Sequence, residues 1–290
     1  MKKILAALLA GIMGISMMTS CGDSDSGDDK NESKNPATKV IDIDLTQEEY
    51  AFGVDKDQPD LLKQVNDFIA EIKGNGKFDE VCNKYFSDGT PTPVKSAELD
   101  SSKDQLVVAT NAAFEPFEYK NGEDYLGVDM EIASMLAEKL GKELVIQNMD
   151  FDAVCLSVGQ HKSDIAMAGL TVKEERKEHV NFSDSYYQAS QRIVVKGDDK
   201  TFDNCKTAAD VEKILNEKDA STKIGVQNGT TGQKYLKGDE EWEFAGFKTT
   251  CTGYKNGSLA VQDMVNGNID YVIIDSAPAD CITKSINKLS

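Results

Sequence analysis

From residue 100 onward, short apolar runs alternate with stretches of helical period, the pattern of an α/β protein with largely parallel sheets. Strands are predicted at 106–110, 143–149, 164–169, 191–196, 223–227 and 270–274. Between the first two, Val128, Ile132, Met135, Leu136 and Leu140 share one helical face, and Gly141 ends that helix. Weaker periodicity predicts helices over 152–158, 208–215, 259–265 and 277–286. The first third reads differently. Strands at 40–45 and 50–54 precede an amphipathic helix carrying Leu61, Leu62, Val65, Phe68, Ile69 and Ile72, closed by Gly74 and Gly76. A second helix carries Phe78, Val81, Tyr85 and Phe86. Residues 87–105, with Gly89, Pro91 and Pro93, read as a linker that as a flexible coil would reach roughly 20 to 25 Å. Two helices with so little sheet hardly form a stable domain, so they are expected to complete the core of the α/β region after the linker.

The extreme N-terminus follows neither period. Lys2 and Lys3 precede an apolar run over 4–17, which reads as an export signal and is too short for a membrane span. The run ends in Met18, Thr19, Ser20 and Cys21, which resembles the lipobox of bacterial lipoproteins, so Cys21 is the expected site of lipidation. The next residues are Asp, Ser, Asn, Gly and Lys with almost nothing apolar, so residues 21–38 are expected to form a flexible tether. The protein is therefore expected outside the cytoplasm, held at the cell membrane by lipid.

Composition narrows the class of partner. The formal charge is -18 over 290 residues, a surface that repels phosphate backbones and anionic headgroups, so neither nucleic acid nor a bare membrane surface is an expected partner. Two histidines, His161 and His179, are too few for most histidine-based metal or hydrolase chemistry. Beyond Cys21 lie Cys82, Cys155, Cys205, Cys251 and Cys281, an odd number without a CxxC pair, read as mostly buried apolar residues. No metal and no cofactor is expected.

In open α/β sheets ligands sit beyond the carboxyl ends of the strands. Polar and aromatic residues cluster there: Asn111 with Phe114, Phe151, Thr171 after Gly169, Thr230 with Thr231, and Asp275. Arg176 ends the charged run that starts at Lys173, and reads either as a solvated helix end or as a guanidinium fork for a carboxylate. The stretch GVQNGTTG from Gly225 lacks the Lys and Ser/Thr of a phosphate loop, and fits a turn whose N–H groups and hydroxyls meet a carboxylate.

These residues resemble the polar amino-acid-binding proteins of ABC importers, two-lobed solute-binding proteins. The matching text is LVVATNAAFEPFEY from Leu106, GVDMEIA from Gly127, SDIAMAGLTVKEER from Ser163, FSDSYY from Phe182, GVQNGTTG from Gly225 and IDYVIID from Ile269. The resemblance implies two α/β lobes that close on a free amino acid, and a monomer that hands its ligand to a membrane permease with an ATPase. Carried over by position, Arg176 and Thr171 hold the α-carboxylate, helped by Thr231 and Thr230. Asp275 and the Gly169 carbonyl take the α-ammonium, and Phe114 and Phe151 flank the side chain. Asn111 stands where many members carry Asp, and Ile274 where glutamine binders carry His. The ligand implied is a neutral polar, glutamine-like amino acid. The rival readings are an extracytoplasmic dehydratase of the same fold, for which the pocket offers no general acid or base beyond Asp275, and a sensory module.

The order of segments departs from the family. KVIDIDLTQEEYAFGVDKDQPDLLKQVNDFIAEIKGNGKFDEVCNKYF from Lys39 is similar to the family's C-terminal segment but stands at the front. The expected fold is therefore the type II periplasmic-binding architecture, circularly permuted. Residues 1–20 are the signal and 49–190 form lobe 1, including the permutation linker 87–105. Residues 39–48 with 191–290 form lobe 2.

Overall fold

A computed structural model describes residues 36–87 and 89–289. The signal, Cys21 and most of the tether lie outside the described residues. In chain order the first elements are β1 (Thr38–Val40), β2 (Glu48–Tyr50), β3 (Gly53–Asp55), α1 (Pro59–Gly74), α2 (Lys77–Phe86) and β4 (Gln105–Thr110). Then come β5 (Ala113–Phe114), β6 (Glu118–Asn121), β7 (Asp124–Leu126), α3 (Val128–Leu140), β8 (Glu143–Asn148), α4 (Val154–Gly159), β9 (Ile165–Ala166) and α5 (Glu174–Lys177). The last are β10 (Val180–Phe182), β11 (Tyr187–Ala189), β12 (Gln191–Lys196), α6 (Ala208–Asn216), β13 (Lys223–Gln227), α7 (Thr231–Lys237), β14 (Thr250–Tyr254), α8 (Gly257–Val265), β15 (Tyr271–Asp275) and α9 (Ser276–Leu289).

Two mixed five-stranded sheets result, one in each lobe. Lobe 1 has the order β10-β3-β9-β4-β8 and lobe 2 the order β1-β12-β15-β13-β14. β4 runs parallel to β8 and β9, and β13 runs parallel to β14 and β15. β1, β3, β10 and β12 join antiparallel. Between the lobes the chain passes twice, along β2 and β11, which pair antiparallel with Tyr50 opposite Tyr187. This two-stranded ribbon is the hinge.

The apolar runs explain the positions. All five residues of β15 are buried, as expected of a strand covered on both faces. α3 buries Val128, Ile132 and Leu136, and Gly141 stops it with φ +69, a left-handed conformation that glycine adopts without a Cβ clash. α1 buries Leu61, Val65, Phe68, Ile69 and Ile72 in one cluster with Leu106 and Val108 of β4, each worth about 1.5–3 kcal/mol when fully buried. The first helices therefore complete the core of lobe 1. At the other lobe, the amide of Thr38 donates to Asn287 at 3.0 Å and the Asn287 amide group donates to the Thr38 carbonyl at 2.8 Å, so the first described strand lies beside the last helix.

Several expectations require correction. Thr38 is fully buried in β1, and the Gly197 amide donates to Ala37, so the fold begins before the expected end of the tether at 38. The strand expected over 40–45 ends at Val40, although Ile41 and Leu45 still donate to Ile193 and Gln191. The strand at 50–54 is split, because Ala51 and Phe52 turn the chain from the hinge into lobe 1. Residues 164–169 keep strand geometry only at Ile165–Ala166, since Gly169 has φ +53. The linker is not a free coil: Val94 is buried and bonds Tyr125 in both directions, and the Ala97 amide donates to Leu144. Of the five described cysteines only Cys155 is buried; Cys82, Cys205, Cys251 and Cys281 are half-buried, and all are unpaired. Period alone also gave no sign of β5, β6 and β7, a small three-stranded sheet at the edge of lobe 1.

Candidate functional site

The ends of β4, β9, β13 and β15 bring Asn111, Gly169 with Thr171, Thr230 with Thr231, and Asp275 to the seam between the lobes. Contacts across that seam are direct. The Gln227 side-chain amide donates to Asn111 Oδ1 at 3.0 Å, and the Thr231 hydroxyl donates to that of Thr171 at 3.0 Å. Asn111 in turn donates to the Met149 carbonyl at 2.6 Å, which fixes its orientation.

Arg176 is buried despite the charged run around it. α5 is only one turn long, and the amides of Arg176 and Lys177 donate to the Lys173 carbonyl, so the guanidinium turns inward while Glu174, Glu175 and Lys177 face solvent. One terminal nitrogen donates to the Thr171 carbonyl at 2.7 Å and the other to the Gly229 carbonyl at 3.1 Å. The group lies 5.2 Å from the centre of the Phe151 ring, close enough for cation–π attraction. Beside it the seam opens into a recess of about 570 Å³ lined by Phe151, Arg176, Asn228 and Gly229. The solvated alternative for Arg176 is therefore excluded by its burial.

Asp275 is held from two other elements. The Tyr50 hydroxyl donates to it at 2.5 Å, and Gln191 is its cross-strand partner. Burial, then the charge of Glu48, push its carboxyl up to about 7. Glu48 accepts from Thr171 at 2.6 Å and from Gln191 at 3.0 Å. The repulsion between two buried carboxylates favours a proton on Asp275, or a cation beside it. Gly169 closes this floor: a Cβ there would meet the Phe114 ring at 2.9 Å and the Tyr50 ring at 3.3 Å. Its amide donates to Asp129, whose carboxyl burial pushes up to about 7. Opposite Phe114 in the β5–β6 pair stands Glu118, fully buried, with neither carboxyl oxygen meeting a hydrogen-bond donor among the described residues; burial raises its carboxyl well above the usual range.

Thr230 does not join the others. Its hydroxyl donates to the Gln227 carbonyl at 2.8 Å and caps α7 by accepting from Gln233, so its side chain is committed to the helix start. Sequence reasoning missed Glu48, Tyr50, Gln191 and Gln227. Glu48 and Tyr50 lie more than a hundred residues before Thr171 and Asp275 in the chain, and one buried carboxylate has no local mark among 50 acidic residues.

The chain matches the model of the bacterial extracellular solute-binding proteins, family 3, over residues 106–276. It is 35% identical over 191 residues to the arginine-binding extracellular protein ArtP of Bacillus subtilis, covering 66% of this chain and 68% of that protein. It is 29% identical over 178 residues to ABC transporter arginine-binding protein 1 of Escherichia coli, covering 61% of this chain and 65% of that one. A solved structure of an ancestral arginine-binding protein bound to arginine matches with a TM-score of 0.53 and 33% identity, covering 63% of this chain and 75% of that chain. The matched stretch thus spans roughly two thirds of each curated relative. These three similar proteins are named for binding an amino acid, not for catalysis.

Proposed function

This chain belongs to the bacterial extracellular solute-binding proteins of family 3, and on that premise we propose that it captures a free amino acid between its lobes and delivers it to an ABC import permease. Its fold is the two-lobed type II periplasmic-binding architecture, and it is a binding protein rather than an enzyme. The observation that carries the reading is a buried base and a buried acid at one seam, Arg176 and Asp275. A zwitterion matches both. Its carboxylate accepts from the remaining N–H groups of the Arg176 fork, with the Thr171 and Thr231 hydroxyls turning to it from Glu48 and from each other, and its ammonium lies against Asp275 and the Gly169 carbonyl. Phe114 and Phe151 flank the side chain, where a low dielectric strengthens the charged contacts.

The side chain of the ligand is cationic in this reading. Glu48 and Asp275 together outnumber Arg176 in the cleft, so a ligand with a net positive charge leaves less uncompensated charge buried. The similar proteins named for arginine support the same choice and give no support to a glutamine-like one. The export signal and Cys21 support an extracytoplasmic, lipid-anchored protein. The contact of α1 with β4 and of Thr38 with Asn287 supports a circularly permuted chain order.

A thermal-shift panel of the protein amino acids, followed by calorimetry, tests the reading. Arginine, lysine or histidine is expected to raise the melting temperature and bind at micromolar concentration, about 8 kcal/mol. A larger response to glutamine than to any of these overturns the cationic assignment alone. No response to any amino acid overturns capture itself.

A further inference from the structure

Lys173 is 3% exposed, an unusual fate for a lysine in so acidic and charged a stretch. It stands at the start of α5, three residues before Arg176, and belongs to lobe 1. Its ammonium reaches into lobe 2, where Nζ lies 2.9 Å from Asp239, 3.0 Å from Glu241 and 4.1 Å from the centre of the Trp242 ring.

The socket that receives it is built by lobe 2 alone. Asp239 accepts from the amides of Glu241 and Trp242 at 3.0 and 3.3 Å, which folds the turn after α7. Asp239 and Phe244 exchange backbone hydrogen bonds of 2.8 and 3.0 Å across that turn. Trp242 packs with Phe244 and Phe247 against the lobe 2 core. None of these contacts needs Lys173, so the acidic and aromatic site persists when the lobes part. Only closure brings the lysine into it.

We infer that Lys173 and the Asp239, Glu241 and Trp242 socket form an interlobe latch that sets how long a captured ligand stays, without touching the ligand. This rests on the two-lobed capture reading. A lysine entering an apolar seam alone loses hydration without return. Here the charge of two carboxylates at ion-pair distance and an indole face offset that loss, although Nζ makes no aligned hydrogen bond to either carboxylate. α5 links this latch to the ligand, because the same turn of helix carries Lys173 into the socket and Arg176 into the cleft. A second pair, Lys234 to Glu175 at 2.6 Å, crosses the seam from α7 to α5 and acts in the same direction at the surface. Interactions formed only on closure act on the dissociation rate more than on encounter.

The test compares Lys173→Met, Lys173→Arg and the solvent-side Glu241→Lys with the wild type in stopped-flow dissociation of a bound amino acid. Trp242 is the chain's one tryptophan, so its emission reads the latch directly. Lys173→Met and Glu241→Lys should dissociate about tenfold faster with little change in association, keep the ligand-free melting temperature, and lose most of the Trp242 emission change on ligand addition. Lys173→Arg should recover most of both. X-ray scattering of the ligand-free protein reads the same latch without ligand, since Lys173→Met should enlarge the expanded population. A wild type that bound no amino acid would count against capture, while the scattering comparison would still decide the latch. Unchanged dissociation, emission and scattering in Lys173→Met overturn it.

Discussion

The Tyr50 hydroxyl donates a 2.5 Å hydrogen bond to Asp275, and so ties a hinge strand to the end of the central strand of lobe 2. The ring of Tyr50 also packs edge-on to Phe117, 5.2 Å between centres. Tyr50→Phe keeps the ring and removes only the hydroxyl. A hydrogen bond to a charged group is worth about 1.5–3 kcal/mol, and because this one is made without ligand its loss should lower the ligand-free melting temperature by several degrees. Amino-acid affinity should fall about tenfold, because Asp275 without its donor holds its proton more tightly. Calorimetry returning wild-type affinity would remove Tyr50 from the binding apparatus.

Arg176→Ala takes away the buried base of the cleft. The protein should stay folded, because the lost bonds are to the carbonyls of Thr171 and Gly229 and no core apolar group is removed. Binding should drop below detection, and Arg176→Lys should recover little, since an ammonium cannot offer the paired donors of a guanidinium. Circular dichroism and calorimetry on the same samples separate the two effects, and retained binding by the alanine variant would move the carboxylate site elsewhere.

The buried acids make stability depend on pH with a definite sign. Asp129 and Asp275 are both raised to about 7, first by burial, whereas in the unfolded chain they ionise near 4. Between those values the native state holds protons that the unfolded state has released. Their stabilisation is complete below about pH 4 and is lost as pH rises toward 7. The ligand-free protein should therefore melt at a higher temperature at pH 5.5 than at pH 7.5, other groups being unchanged. Binding should run the other way, because an ammonium ligand needs Asp275 ionised. Affinity is expected to be weaker at pH 5.5 than at pH 7.5, and a calorimetric pH series showing the reverse would remove Asp275 from the ammonium site.

Thr38 and Asn287 are hydrogen-bonded to each other, so the chain can be rejoined there with a short link. A protein beginning at Gln105, running to the end of α9, and continuing through residues 36–86 should fold and bind as the original does. It leaves out residues 87–104 and with them the Val94 to Tyr125 bridge, so a small loss of stability is expected. If the rearranged chain stayed unfolded, the permuted order would lose its main support. Phe68→Ala in the original chain should cost about 3–5 kcal/mol, measured by urea unfolding, because α1 is core to lobe 1.

The elements themselves were legible wherever burial repeats with a fixed period. α3, α6, β12 and β13 stand within a residue of their expected bounds, because one buried face imposes a period of 3.6 or 2 on the local sequence. The strand-end residues were legible too, since Asn111, Thr171 and Asp275 each follow directly from an apolar run. What the tertiary structure alone decided is which distant segments meet. Glu48 and Tyr50 reach Thr171 and Asp275 only because the hinge ribbon folds β2 against β11. Lys173 and Arg176 lie in the same charged run and both are buried, because α5 is wedged between two lobes and not on a free surface. A linear pattern records how each residue must face its own core. It does not record charges brought together by a crossing of the chain, because their pairing energy depends on distance and burial, which exist only once both lobes have formed.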